Sequence, residues 1–389
     1  MTRRWCHPQK LPKAPDGLER TVAPVDASYW ESIRALWTEL FVESGCSSPF
    51  LSPLWIETWL AHFGRDVDAH LIIWRKERDC VGCVLIGIGA GHVGPFRVQQ
   101  GFVNASGAGV MAEHNDVLTL PDYRDLILRD IATITSTISV DQLAIVGASD
   151  ALFQGLRQHW PTDRWQGYNS ESPYVDLRAV RQTGGDYLRH LSSNTRAQIR
   201  RSMRLYEQEL GPPKLDEATQ TVDALTFLDE LVALHRERWS ARGEAGGFTN
   251  RTIQFHQDLI RASFTAQDST RLRTHLARLR YGTTTIGLVY HLVLSGRVHF
   301  FQSGFSYSQD RRLKPGLVTH YHSIVHCMSE GHVEYDFLGG EATSVRYKRS
   351  LSTATRVLWW VELPKPTIKM SVYDTLRRWK QRLGRKYVP

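Results

Sequence analysis

The chain is short of most features that would place it quickly. Five cysteines in 389 residues, Cys6, Cys46, Cys80, Cys83 and Cys327, are too sparse for a disulfide framework. The longest uncharged stretch, Cys80 to Phe96, is broken by Gly82, Gly87, Gly89, Gly91 and Gly94 and falls short of the roughly 20 residues that span lipid. At the amino terminus Pro8, Lys10, Pro12, Lys13 and Pro15 interrupt any apolar core, so no secretory signal is expected there and an intracellular location is the default. Neither Gly-x-Ser-x-Gly nor Gly-x-x-x-x-Gly-Lys-Ser/Thr occurs, and Gly87-Ile-Gly-Ala-Gly-His-Val-Gly94 lacks the order of a dinucleotide fingerprint. Serine hydrolysis, ATP hydrolysis and hydride transfer lose support accordingly.

Metal ligands are scarce in the same way. Cys80-Val-Gly-Cys83 has zinc spacing but no second cysteine pair. Positions three apart on a strand face opposite sides, which makes core cysteines the better reading. His322 and His326 share a helical face beside His320, yet no Glu follows His322 as a zinc-hydrolase helix requires. No metal is expected.

Acidic residues are also outnumbered, 40 against 48 Lys and Arg, giving a net charge of +8 that favours an anionic partner such as a phosphorylated cofactor, nucleic acid or lipid. The excess concentrates at the end, where eight basic residues follow Leu363. Within that tail, Ser371 to Arg385 reads as a helix with Leu376, Trp379 and Leu383 among Arg377, Arg378, Lys380, Arg382 and Arg385. It suits a terminal helix docked on its own domain, an anionic membrane surface or a nucleic-acid contact.

What the chain has is length enough for two domains and an internal echo. His70-Leu-Ile-Ile-Trp-Arg75 passes through a polar turn into Val81-Gly-Cys-Val-Leu-Ile86, and His275-Leu-Ala-Arg-Leu-Arg280 does the same into Ile286-Gly-Leu-Val-Tyr-His291. Downstream, Pro121 opens a helical run to Ile138 that feeds strand Gln142 to Gly147, while Pro315 opens a run to Met328 that feeds strand Val333 to Gly339. Two similar α/β domains account for this recurrence. Helices are expected at Ser192 to Leu210, closed by Gly211-Pro-Pro213, at Asp223 to Arg242 and at Thr252 to Phe264.

Candidate chemistry gathers in the second half. Lys314-Pro315-Gly316-Leu317 stands where a loop becomes a helix, exposing amide donors and the positive helix end to a phosphate or oxyanion. Asp336 lies on an apolar strand and needs a partner, for which Lys348 is the natural candidate after the turn at Gly339-Gly340. The pair reads equally as a base and its ligand contact or as a buried ion pair. Gln302 and Tyr290 come from successive strands and can orient an amide or donate to an oxyanion. Arg196, Arg200 and Arg204 share one helix face, where like charges repel unless an anion or carboxylates relieve them.

With these residues assembled, the chain resembles the GNAT superfamily branch known as CelD-like or BioF2-like acetyltransferases, related in architecture to the FemABX peptidyltransferases. The resemblance rests on Ser48-Pro-Phe-Leu-Ser52 with Trp55, the Ser193 to Arg204 helix, Gly304-Phe-Ser, Lys314-Pro-Gly-Leu317, Gly331 to Gly340 and Tyr347-Lys348, and covers roughly residues 28 to 362. It implies two tandem GNAT-like domains, each a mixed, mostly antiparallel sheet flanked by helices. The implied boundaries are an extension over 1–25, domains over 26–180 and 181–362 with a helical insertion at 187–266, and a basic tail over 363–389. It implies transfer of an acyl group from acyl-CoA to the amine of an amino sugar, lipid precursor or amino-acid-like acceptor in polysaccharide or envelope metabolism. Lys314, Pro315, Gly316, Leu317 and Arg200 would hold the donor; Asp336, Tyr347, Lys348, Gln302 and Tyr290 would surround the reacting centre. Aminoacyl-tRNA-dependent transfer is the alternative, and a non-catalytic scaffold with a membrane- or RNA-contacting tail is the third. Asp310-Arg-Arg-Leu-Lys-Pro-Gly316 keeps only the last glycine of the Gln/Arg-x-x-Gly-x-Gly/Ala donor loop of many GNAT enzymes. Direct transfer further requires Gly316 and Asp336 to open on one cleft.

Overall fold

A computed structural model describes residues 11–93, 96–106, 109–240, 243, 246–265, 272–339, 342–373 and 375–376. Met1 to Lys10, Arg242, Gly340 and the tail from Arg377 therefore lie outside the described residues. The chain divides into two compact units, one of Met1–Asn169 with Leu358–Pro389 and one of Ser170–Val357. The sequence break was expected after residue 180.

The first unit contains β1 (Glu19–Pro24), α1 (Ala27–Glu43), α2 (Pro53–Phe63), β2 (Asp68–Lys76), β3 (Asp79–Val93), β4 (Phe96–Val103), β5 (Leu118–Thr119), α3 (Arg124–Thr137), β6 (Gln142–Ser149) and α4 (Asp150–His159). Its strands run β1-β2-β3-β4-β6, with the end of β13 (Ala354–Pro364) antiparallel to β6 and β5 on β3. Ser48-Pro-Phe-Leu-Ser52 folds as a helical turn that hands over to α2, whose first turn Ser52 caps by accepting from the Trp55 amide at 3.3 Å. Helix α3 is anchored by buried Asp130, which accepts from Trp74 Nε1 at 2.7 Å and from Arg20 Nη1 at 2.6 Å.

Cys80 and Cys83 are free thiols in β3. Burial pushes Cys80 up to about 11 and Cys46 up to about 12, and Cys83, fully buried with both nearby, higher still. Cys83 is a core thiol and the other two are partly buried, and all three are held in the neutral form.

The second unit begins within β7 (Gln166–Asp176) and continues through α5 (Leu177–Gln182), α6 (Ser193–Leu210), β8 (Pro213–Glu217), α7 (Thr221–Ser240), α8 (Asn250–Thr265), β9 (Arg273–Tyr281), β10 (Thr284–Leu294), β11 (Arg297–Phe305), α9 (Pro315–Ser329), β12 (Glu334–Asp336) and α10 (Ala342–Leu351). The strand order is β7-β12-β11-β10-β9-β8, parallel only between β11 and β12. This is an α/β fold with a mixed sheet and helices on both faces. Phe300, Phe305, Val289 and Ala277 turn to one face, where Ile199 of α6 and Ile324 of α9 complete the core. Gly304 faces the other way, against Leu231 and Leu234 of α7, and Tyr290 faces His256 of α8.

Both units repeat one order of elements. Three antiparallel strands (β2, β3, β4; β9, β10, β11) are followed by a helix (α3; α9) and a strand parallel to the third (β6; β12). The His70 and His275 echo marks the first strand of each set.

Two expectations change in detail. The expected strand from Val333 to Gly339 ends at Asp336, because Leu338 takes a left-handed φ of 58° and its amide donates back to Asp336 Oδ1 at 2.6 Å. A strand, β8, lies inside the stretch taken as helical insertion. Pro212-Pro213, read as a helix stop, is where it begins.

Candidate active site

The sheet of the second unit opens in its middle. Strands β11 and β12 pair over three positions, Arg297↔Glu334, Val298↔Tyr335 and His299↔Asp336, and there the register ends. Beyond it β11 runs on to Phe305, whereas the Phe337 amide turns to the carbonyl of Pro173 in β7. Just past this fork β11 carries a bulge, with Tyr290 opposite Gln302 and His291 opposite Phe300.

Helix α9 starts beside the fork. Its N-cap is Lys314, whose side chain makes no capping bond, and whose amide donates to Ser202 Oγ of α6 at 2.8 Å. Asp26, Ser52, Ser149, Asp176 and Ser192 each place an oxygen on the first turn of their own helices. The first turn of α9 thus presents Gly316 and Leu317 amides without a side-chain acceptor, at the positive end of a 15-residue helix. Space is tight at Gly316: a Cβ would stand 3.2 Å from the Phe305 ring, which would have to yield. Arg200, Arg201, Arg204, Arg311 and Arg312 are exposed on α6 and on the loop before α9. Arg312 pairs with Asp310, whose carboxyl is held below the ordinary range by Arg312 and, more weakly, by Arg201.

The fork divides the expected site residues between two faces. Tyr335 and Phe337 face α9, so Asp336 between them faces away from Gly316. It is fully buried, accepts from Ser172 Oγ at 3.0 Å and forms an ion pair with Arg356 at 3.6 Å. Lys348, expected beside it, donates to the carbonyls of Leu338 at 3.2 Å and Gly339 at 2.6 Å and lies 6.0 Å from the Phe300 ring. A carbonyl pair can hold an ammonium as well as a carboxylate can, which sequence spacing does not distinguish.

Tyr290 lies on the face of Asp336, its phenol 3.5 Å from His256 Nδ1 and its pKa raised by burial. Gln302, two residues before Gly304, keeps its Oε1 on the Ser303 amide at 3.0 Å. Tyr347 lies with α9, its ring 6.1 Å from His320, and burial raises its phenol also. The structure therefore gathers Lys314, Pro315, Gly316, Leu317, Arg200 and Tyr347 on one face and Tyr290, Gln302 and Asp336 on the other. Lys348 stands at the fork. A single cleft would have to pass between the parted strands.

One residue at the fork was not expected to act. His320, one turn after Gly316, packs 4.5 Å from the Phe300 ring and 5.2 Å from Phe337, the first residue of each strand past their last pair. Burial, with Lys348 adding to it, pushes its imidazole down to about 3, so it is neutral. Its Nδ1 lies 3.0 Å from Tyr335 Oη, and its Nε2, fully buried, has no hydrogen-bond partner among the described residues. Such an atom costs about 1–3 kcal/mol.

Behind it runs a line of hydrogen bonds. Tyr335 Oη lies 2.9 Å from His291 Nε2, His291 Nδ1 lies 3.1 Å from His275 Nδ1, and His275 Nε2 lies 3.0 Å from Glu217 Oε1. His326 meets the same Glu217 oxygen. The hydrogen bond from His275 holds the Glu217 carboxyl below the ordinary range against its partial burial. Ligating atoms of Glu217, His275 and His326 lie within 4.8 Å of one another, but they are satisfied by these mutual contacts and no metal is assigned to them. The sequence flags this line through the His70/His275 echo and through His320 and His326 on one helix; Glu217 was invisible because β8 was.

Comparison with known proteins places this geometry. Residues 193–349 match the family described as acetyltransferase (GNAT) domain. No curated protein matches the chain. Among solved structures, that of FemX is similar over 91% of this chain and 99% of its own, with 10% identity and a TM-score of 0.53. L-PGS from Bacillus licheniformis is similar over 91% and 97%, with 10% identity and a TM-score of 0.51. A conserved protein of unknown function from Bacteroides thetaiotaomicron is similar over 89% and 100%, with 10% identity and a TM-score of 0.52. At such identities the likeness is one of fold. The chain is an enzyme of the acyltransferase class, with residues 193–349 similar to the acetyltransferase (GNAT) domain family.

Proposed function

We propose that the protein is an N-acyltransferase that moves an acyl group from acyl-CoA to the amine of a small acceptor. The observation that carries this reading is the uncapped first turn of α9 inside the acetyltransferase domain, with exposed arginines on α6 and on the preceding loop. These residues fit a pyrophosphate: amide donors, a positive helix end and surrounding guanidinium groups. Gly316, Leu317, Lys314 and Arg200 would hold the donor, which supplies an activated carbonyl when bound.

Transfer needs a neutral amine held against that carbonyl and hydrogen-bond donors for the oxyanion. The fork between β11 and β12 would be the passage, with Tyr347 on the donor side and Tyr290, Gln302 and Asp336 on the other. Asp336, on the far face, would orient the amine through that gap, and Lys348 holds the turn at Leu338 and Gly339. The repeated element order of the two units supports a tandem GNAT-like architecture. An amino sugar, lipid precursor or amino-acid-like amine in polysaccharide or envelope metabolism is the acceptor class proposed. Among the described residues no helix is long and apolar enough to cross a membrane, and the proposed location is cytoplasmic, with the basic tail as a peripheral membrane contact.

Incubation with acetyl-CoA and a panel of amines, followed by thiol release and product mass, tests the reading. An added acyl mass on one amine class is expected; thiol release without an acylated amine would overturn it. Aminoacyl-tRNA-dependent transfer is a second reading, favoured by the exposed Arg200 and Arg204 beside half-buried Arg196 on α6. Salt-sensitive retention of charged tRNA would support it, and no retention at low salt would reject it.

A further inference from the structure

We propose that His320 takes up the proton lost by the acceptor amine and passes it through Tyr335, His291 and His275 to Glu217 at the surface. This rests on the acyltransfer reading and adds to it a base and an exit for the proton.

The direction of the line follows from its end group. An ionised carboxylate only accepts, so His275 Nε2 carries the proton donated to Glu217 Oε1. A neutral His275 then has a lone pair on Nδ1, and the bond at 3.1 Å obliges His291 Nδ1 to donate. His291 Nε2 is left as an acceptor, and of the two hydroxyls that reach it, Tyr335 at 2.9 Å and Ser323 at 3.5 Å, the nearer takes it. Tyr335 oxygen in turn accepts from His320 Nδ1–H. One surface carboxylate thereby fixes three tautomers and leaves a lone pair on His320 Nε2, the atom with no partner among the described residues. The ring that carries it packs against both Phe300 and Phe337 at the fork, one helical turn from Gly316.

The groups facing this line are consistent with its polarity. Lys348 and Tyr347 of α10 face His320; His275, His326 and His332 surround His291; Glu217 and His326 face His275. Strand β11 contributes the rings of Phe300 and Phe305 to the surroundings of His320. Burial, with Lys348 adding to it, keeps His320 unprotonated at rest, while the Glu217 carboxylate lies at the exposed end of the line. A proton is thus drawn outward.

The step balances. As the amine nitrogen bonds to the acyl carbon, the carbon–sulfur bond breaks and its electron pair leaves on sulfur. The amine proton moves to His320 Nε2, the Nδ1 proton to Tyr335 oxygen, the phenol proton to His291 Nε2, and the His291 Nδ1 proton to His275 Nδ1. The charge comes to rest on His275, whose side chain is 24% exposed beside the 33% exposed Glu217, and from there the Nε2 proton is lost to water. His320 is the catalytic residue; the other four position and discharge it.

Long-range proton–nitrogen spectra of full-length enzyme labelled in its histidine rings report which ring nitrogen carries hydrogen. Hydrogen is expected on Nδ1 of His320 and His291 and on Nε2 of His275. Glu217→Gln supplies a side-chain donor and should release this order, giving His320 a measurable Nε2–H population. Hydrogen on His320 Nε2 in the wild type, or tautomers indifferent to Glu217→Gln, would overturn the proposal. Tyr335→Phe breaks the line with little loss of volume. Acetyl-CoA affinity measured by calorimetry should stay within twofold, while transfer to glucosamine or lysine falls 100-fold or more; unchanged transfer would overturn the relay. Absence of acetyl-CoA binding in the wild type would instead remove the acyltransfer reading and leave the tautomer result standing by itself.

Discussion

Gly316 carries the donor reading at the scale of one residue. Gly316→Val drives a side chain into the Phe305 ring and covers the exposed amides, so acetyl-CoA affinity measured by calorimetry should fall at least tenfold. Overpacking should cost about 1–3 kcal/mol of stability in denaturant unfolding. Asp336 is the harder case, since its contacts to Ser172, Leu338 and Arg356 give it a structural task whether or not it meets substrate. Asp336→Ala should destabilise by about 3 kcal/mol, by stranding a buried amide and loosening Arg356. Asp336→Asn keeps an acceptor for Leu338 and should lose less; a large fall in transfer with near-normal unfolding would mark the carboxylate as catalytic. At this scale the sequence showed which residues carry chemistry but not which face they take. Asp336 and Gly316 read as neighbours because both flank one helix, whereas strand alternation and the fork put them on opposite faces. His320 was seen as a non-ligand and passed over, since a buried base is recognised by what surrounds it.

The elements that aim these residues are set by local signals of different strength. Ser192 capping α6 was legible, and Ser192→Ala should cost about 1 kcal/mol while loosening the helix that carries Arg200 and bonds Lys314 through Ser202. Asp130 was not, because nothing in an amphipathic helix tells that its acid will be buried with Trp74 and Arg20. Removing it as Asp130→Ala leaves Arg20 uncompensated, and unfolding of the first unit should lose about 3–5 kcal/mol. Strands with alternating apolar residues, β2, β3, β9 and β10, were read closely. Strand β12 was overextended because its end is dictated by the positive φ of Leu338, and β8 was missed because two prolines hide a short edge strand behind a helix-stop signal.

For the whole molecule, buried neutral histidines set the response to acid. His320 is pushed down to about 3, and His322 and His235 to about 4, in each case chiefly by burial. In the unfolded chain the same groups protonate near pH 6.5. Their folded values being the lower, the unfolded state binds more protons below that point, and stability declines as pH falls from about 6.5 toward 4. Denaturant midpoints taken stepwise across that window should fall, and His320→Phe should flatten the decline. The doubled order of strands and helices was legible from the His70 and His275 echo, since repeated elements keep their spacing even where residues diverge. The reading of the molecule as a transferase turns on donor binding. Titration of the full-length enzyme with acetyl-CoA and longer acyl-CoAs in a calorimeter, at low and moderate salt, measures it directly. Saturable heat that weakens with salt and disappears in Gly316→Val is the expected result; folded protein giving no heat with any acyl-CoA would contradict it.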